Sequence, residues 1–394
     1  MADGADGKRK GSRERVISHR DALHGVRELV LANVVMAAEI PAPTGSEKRV
    51  TRFLSERFTE AGLTDIASDQ AGNIAGVIPG RNRQRNLLVA AHVDKIWTDA
   101  DDHTVSVEVG CMKGRGIADN SLGVAVLATL PLILERLGIE LDSNLILLGT
   151  TRSFGRGDLA GMRFFLENVD QAIAGALCLE GIELGRLSYA SPGMARGEIR
   201  VEICGEGEDF GSAGAIFLLN QILNELLKLN EAHAPEATIL IGTVDAESGY
   251  NVPPLNGEIR FEIRGESEAL VKELEEKIGE LVENVAGQDG DVFATLEIIA
   301  HRKPGDLGSD HMLVRAAREI QEVLGIAAKI EPSISEVAAL LESGIPGLTL
   351  GITDGGSRHT RHETVQLERI PEGLAQIVSV IEFMDAELPD KATS

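Results

Sequence analysis

Four short runs of branched, apolar residues constrain this chain more than anything else in it. They are NLLVAAHVD (86–94), SNLILLGTT (143–151), AGALCLEG (174–181) and GIPGLTLGIT (344–353). Each is too continuously apolar for a half-exposed strand, so each reads as a strand covered on both faces. Helical patterns lie before and between them: SEKRVTRFLSERFTEAGL, with Ser46 and Glu47 as helix-start residues, then SLGVAVLATLPLILERLG, AGMRFFLEN and SDHMLVRAAREIQEVLG. Strands alternating with helices predict an α/β fold, a mostly parallel sheet flanked by helices.

The texture changes near residue 194. GEIRVEIC and GEIRFEIRGE alternate apolar and polar, as half-exposed antiparallel strands do, and ATILIGTV and DVFATLEIIA add two more strands. AIFLLNQILNELLKL and EALVKELEEKIGELVENVA are amphipathic helices. Two helices on one antiparallel sheet predict a separate α+β unit over 194–302, inserted into a larger domain made of 20–193 and 303–394. A chain of 394 residues has room for about two such cores. The opening MADGADGKRKGSRER is polar and mixed in charge, so residues 1–19 are expected to be a disordered tail.

Composition excludes several classes of partner. A net charge of −24 disfavours nucleic acid and anionic membrane. Aromatics make up only 3%, too few for a base-stacking platform. No apolar run is read as reaching the ~18 residues that cross a bilayer, and the amino terminus lacks a secretory apolar stretch, which makes the cytoplasm the expected compartment. Cys111, Cys178 and Cys204 are far apart and form neither a disulfide framework nor a cysteine zinc site.

The buried strands end on polar residues of one kind. NLLVAAHVD finishes with His92 and Asp94, two apart and so on the same side of a strand. A carboxylate beside an imidazole orients it for a metal ion, although a strand-end histidine with a solvated aspartate accounts for the pair equally well. Asp119 sits in the glycine-rich turn GRGIADNSLGVAVL, where a helix N-cap is the simpler reading. Glu180 ends CLEGIELG, where a bare carboxylate needs a partner or a cation. His359 follows a third strand in GITDGGSRHTRHE. A set of His92, Asp119, Glu180 and His359 suits zinc, or cobalt or manganese. GRGDLAG misses the dinucleotide fingerprint, and there is no P-loop, nucleophile elbow or H-E-x-x-H.

From about Ile40 to Met384 these segments resemble, in order, the co-catalytic zinc peptidases and amidohydrolases. That family includes peptidase T, glutamate carboxypeptidase, acetylornithine deacetylase and succinyl-diaminopimelate desuccinylase. The resemblance implies that His92 is a first-metal ligand oriented by Asp94, that Asp119 bridges two metals, that Glu180 completes the first site, and that His359 serves the second. It places Asn251 of YNVPP and Arg264 of EIRGE at a substrate carboxylate. It also implies a small peptide or N-acyl amino acid as ligand and a homodimer formed through the inserted unit.

Two departures stand out. LLGTTRSFGRGDLAGM matches the segment that carries adjacent glutamates, the general base and a second-metal ligand, but here those positions are Ser153 and Phe154. Losing a base costs roughly 10²–10⁴ in rate. CGEGEDFG stands where the family's lid histidine is expected. Asp158 is available as a substitute base, but GDLAG reads more simply as a helix N-cap. Three readings follow: a one-metal hydrolase with impaired activity, a non-catalytic relative that binds metal and a peptide-like ligand or a partner protein, and an α/β protein whose acidic and histidine residues are structural.

Overall fold

The computed structural model describes residues 2–204, 213–286 and 292–389. By internal contacts the chain separates into two units, Met1–Ala190 with Asp306–Ser394, and Ser191–Gly305. The altered lid segment CGEGEDFG lies, apart from Cys204, outside the described residues.

In the first unit, strands β1 (Thr64–Ser68), β2 (Ile74–Ile78), β3 (Asn82–His92), β4 (Ser143–Thr150), β5 (Ile173–Ile182) and β6 (Leu187–Ser188) join a later strand, Gly347–Thr353, in one seven-stranded sheet. The second unit contributes β7 (Gly193–Ile203), β8 (Ala237–Asp245), β9 (Asn256–Gly265) and β10 (Val292–Arg302), so the later strand is β11. The large sheet runs β1-β2-β4-β3-β5-β11-β6. Its four central strands, β4, β3, β5 and β11, are mutually parallel, and the outer ones are antiparallel. All four therefore end at one edge, where open α/β sheets hold ligands.

Both faces of those strands are covered, which explains their unbroken apolar runs. Leu87, Val89 and Ala91 of β3 join a core with residues of α2 (Arg27–Ala38), α3 (Lys48–Glu60) and α4 (Leu122–Leu137). Leu88 and Ala90 point the other way, into a core with Met162 of α5 (Ala160–Asn168) and Val337, Ala338, Ala339 and Leu340 of a short helix, Glu336–Glu342. The helices Ile117–Ser121 and Leu122–Leu137 together form a stretch long and apolar enough to cross a membrane, contrary to the sequence reading. Its richest window is 94% buried inside the protein, as befits a core helix.

The second unit is an antiparallel sheet in the order β8-β9-β7-β10. Leu218, Leu219, Ile222 and Leu226 of α6 (Ala215–His233) and Val271, Leu274 and Ile278 of α7 (Glu268–Ala286) pack into a core with Ile199, Val201, Ile259 and Phe261.

One expectation is overturned outright. Where residues 1–19 were expected to be a disordered tail, helix α1 spans Ala2–Leu23. Val16, His19 and Leu23 are buried at helical spacing, and α1 packs on the carboxyl-terminal helix, Ile370–Glu387. His19 Nε2 meets Glu382 Oε2 of that helix at 2.8 Å, and Arg15 pairs with the same carboxylate. A polar segment that cannot build its own core folds here against an existing one.

Candidate metal centre

The site grows from the shared edge of the parallel strands. His92 is the last residue of β3 and lies in register with Thr150 of β4, while Glu180 of β5 is in register with Gly351 of β11. By strand alternation His92 and Glu180 fall on the face covered by the Glu336–Glu342 helix. Asp119 reaches them from the turn before α4. A Cβ at Gly181 would stand 2.4 Å from the Ala118 carbonyl oxygen, so glycine there lets that turn approach β5. Asn120 Nδ2 then donates to the Leu179 carbonyl at 2.8 Å.

Donor atoms of His92, Asp119 and Glu180 lie within 4.8 Å of one another, and all three residues are buried. Asp119 bridges two imidazoles: Oδ1 is 2.9 Å from His92 Nε2, and Oδ2 is 2.7 Å from His359 Nε2. It is therefore no helix cap. His359 joins the cluster only through Asp119. Its loop carries Ser357 and His359 at φ +57° and +62°, left-handed conformations that cost non-glycine residues about 1–3 kcal/mol each and recur at functional sites. Glu363 holds this loop to the Asp119 turn, accepting from Ala118 N at 3.1 Å and His359 N at 3.0 Å.

Asp94 is fully buried beside His92. Its backbone carbonyl lies 3.2 Å from His92 Nδ1, and carboxylate Oδ1, which makes no hydrogen bond, lies at 3.6 Å. The other oxygen, Oδ2, accepts from Thr44 Oγ1, Ser153 N and Phe154 N at 2.8, 2.9 and 3.0 Å. Asn73 Oδ1 takes Thr151 N at 2.9 Å and Glu47 Oε1 takes Arg152 N at 3.0 Å. Four consecutive backbone donors of the 151–154 loop are thus held by buried acceptors. The Phe154 ring meets His92 and His359 edge-on, with centroids 5.0 and 6.0 Å away. Ser153 Oγ donates to Glu336 Oε1 at 2.6 Å. Asp158 is not the N-cap of α5: Leu159 occupies that position, and Asp158 pairs with Arg163.

The electrostatics favour a cation. Burial opposes ionisation of Asp119, yet hydrogen bonds from His359 and His92 hold its carboxyl far below the usual range. Burial, reinforced by repulsion from Asp119, pushes Glu180 up despite Arg186 and other cationic neighbours. Burial disfavours a charged His92, but its bond to Asp119 and the nearby Asp94 carboxylate raise it well above 6.5; His359 is raised chiefly by its bond to Asp119. The only guanidinium near both carboxylates among the described ion pairs, that of Arg358, stays 3.9 Å from each, and its Nε and Nη2 make no hydrogen bond. Asp119 thus relies on protons shared with two imidazoles, and Glu180 has no cation within hydrogen-bond distance among the described residues. A divalent ion on the same oxygens and nitrogen replaces those protons, so the donor set fits a metal.

The structure gathers His92, Asp94, Asp119, Glu180 and His359, with Ser153 beside them. Asn251 and Arg264 belong to the second unit, where Asn251 is exposed and Arg264 Nε bonds Glu262 Oε1 at 2.7 Å. Sequence reasoning missed Glu363, whose H-x-x-x-E spacing from His359 was a usable signal. It also missed Arg358 and Glu336, which no pattern marked.

A family model described as Peptidase family M20/M25/M40 matches residues 88–382. Uncharacterized protein YgeY of Escherichia coli (strain K12) is 26% identical over 227 residues, 55% of this chain and 54% of that protein. The chain thus spans about half the length of the curated relatives it matches. The di-peptidase Dug1p from Saccharomyces cerevisiae superposes with a TM-score of 0.78 at 14% identity, over 95% of this chain and 99% of that one. Aminopeptidase PepT from Bacillus cereus ATCC 10987 gives 0.68 at 17%, over 91% and 98%. YXEP of Bacillus subtilis, described as a dinuclear metal binding peptidase from M20 family, gives 0.60 at 19%, over 95% and 99%. At such identities the solved structures establish the fold.

Proposed function

The chain belongs to peptidase family M20/M25/M40, and from that premise we propose that it is a single-metal hydrolase of peptide-like or N-acyl amides beside a free carboxylate. The observation that carries this is the buried cluster of His92, Asp119 and Glu180, with donor atoms within 4.8 Å, next to a phenylalanine instead of a further ligand. The donor set suits zinc, with cobalt or manganese as alternatives. When bound, such an ion supplies Lewis-acid polarisation and a more acidic water. Asp94 fixes the His92 ring so that Nε2 faces the cluster. Phe154 offers no donor atom and lies against both imidazoles, so the second metal is the part of a two-metal site that is lost, and turnover is lower for it.

Asn251 and Arg264 are proposed for the substrate carboxylate, Arg264 exchanging its Glu262 contact for the ligand. A homodimer through the second unit is proposed as well; its outer strands β8 and β10 leave Leu240, Val244, Phe293 and Ile298 exposed. A second reading, a non-catalytic relative that binds metal and a peptide-like ligand or partner protein, is favoured by Ser153, whose hydroxyl is no base at neutral pH. Metal analysis with a dipeptide and N-acyl amino acid panel separates the two. Chelator-sensitive turnover with about one metal per chain supports the hydrolase, and no turnover by metal-loaded protein supports the second reading. Phe154→Glu is expected to raise the metal content towards two per chain.

A further inference from the structure

Glu336 is a buried carboxylate for which neither the fold nor the family match accounts. It opens the Glu336–Glu342 helix and is only 2% exposed. Its described partners are two hydroxyls, Ser153 Oγ at 2.6 Å and Thr150 Oγ1 at 3.3 Å, both on Oε1. No lysine, arginine or histidine forms an ion pair with it among the described residues. A carboxylate buried on two hydroxyl donors is costly as a purely structural element. Its place is informative: Thr150 is in register with His92, and Phe154, next to Ser153, lies against the His92 ring. Ser153 is only half-buried, so its hydroxyl links the site to the carboxylate beneath it. The four backbone hydrogen bonds of the 151–154 loop keep that hydroxyl where it is.

We infer that Ser153 and Glu336 together do the work of the general base missing from position 153, with Ser153 as the catalytic hydroxyl and Glu336 as the positioning carboxylate behind it. This rests on the hydrolase reading above. As the attacking water loses a proton to Ser153 Oγ, the hydroxyl proton of Ser153 passes to Glu336 Oε1, and the water oxygen bonds to the amide carbonyl carbon. When the C–N bond breaks, the proton returns from Glu336 through Ser153 to the leaving nitrogen. Serine ends unchanged, the products are an acid and an amine, and nothing is oxidised or reduced. The carboxylate has moved to another element of the fold, and the hydroxyl spans the gap.

The test uses the full-length protein, metal-loaded and metal-free. Glu336→Gln keeps a hydrogen-bond acceptor for Ser153 but cannot take the proton; kcat should fall about 10²-fold or more with metal content unchanged. Ser153→Ala should fall comparably, and the double variant little further, since the two act as a unit. The acidic limb of the kcat/KM pH profile should disappear in Glu336→Gln. It should return in Ser153→Glu/Glu336→Ala, which puts a carboxylate directly on the loop. In metal-free protein, the infrared carboxylate bands should shift in Ser153→Ala as Oε1 loses its donor. Wild-type turnover with an equally fast Glu336→Gln overturns the relay but leaves the hydrolase reading standing. Absence of turnover in metal-loaded wild type overturns both. An acyl adduct on Ser153 in quenched intact-mass spectra, or unshifted infrared bands, also overturns the relay.

Discussion

Among the described residues each unit holds a cluster of carboxylates, and the two are balanced differently. In the second unit Glu262 lies between two guanidiniums, accepting from Arg196 Nε at 3.0 Å and Arg264 Nε at 2.7 Å. Its neighbours Glu258 and Glu297 share Arg200. Every such carboxylate has a permanent cation at hydrogen-bond distance. In the first unit, Asp119 and Glu180 have Arg358 no nearer than 3.9 Å, and Asp119 depends on two imidazoles, which are cationic only when protonated. A cluster closed by arginine needs no ligand. A cluster closed by histidine can exchange its protons for an ion, and this difference separates a structural ladder from a candidate metal centre.

Mutations should break the two clusters in different ways. The largest effect is expected from Asp119→Asn or Glu180→Gln, each of which should leave the chain without stoichiometric metal and without hydrolysis, as read by elemental analysis and the substrate panel. Retention of one metal per chain in both variants would show that the ion sits elsewhere. Asp94→Ala should act less strongly, weakening metal affinity about 10–100-fold in competition with a chelator, because it supports the His92 ring without being one of the three clustered donors.

The smallest effect belongs to the arginine-closed cluster. Glu262→Gln should cost about 1–3 kcal/mol of stability in denaturant unfolding and leave metal content untouched. Its pH dependence has a definite sign. Burial works against ionisation of Glu262, but Arg196 and then Arg264 hold its carboxyl below 4.5. A depressed carboxylate contributes stability that is complete above its unfolded value of about 4.5 and is lost as pH falls through the lower folded value. The wild type should therefore lose stability more steeply than Glu262→Gln on acidification below that point. Parallel acid curves would mean that the arginine ladder is loosely formed.

Much of the candidate site was legible because its residues end strands whose apolar pattern is unmistakable. His92 and Glu180 each terminate such a run, and His359 follows another, so strand alternation alone aims them at one edge. Helix α1 was less legible. Val16, His19 and Leu23 make a stripe, but it is diluted by a segment rich in charge and glycine. Asp158 illustrates the opposite error: a favoured cap residue sits beside a helix start, yet the chain turns so that Leu159 takes the cap position.

The sequence by itself determined that three of the four buried strands lead to His92, Glu180 and His359, that Asp119 lies in a turn before a buried helix, and that the customary glutamate pair is Ser153 and Phe154. Those statements depend on local periodicity and on residue chemistry, both of which are readable along the chain. Only the tertiary structure decided that Asp119 joins the two imidazoles, that Glu363 ties its turn to the His359 loop, and that Glu336 lies under Ser153. Ser153 and Glu336 are 183 positions apart. Their contact arises from packing the Glu336–Glu342 helix on one face of the open sheet, and no one-dimensional pattern encodes which buried polar atoms that packing brings together.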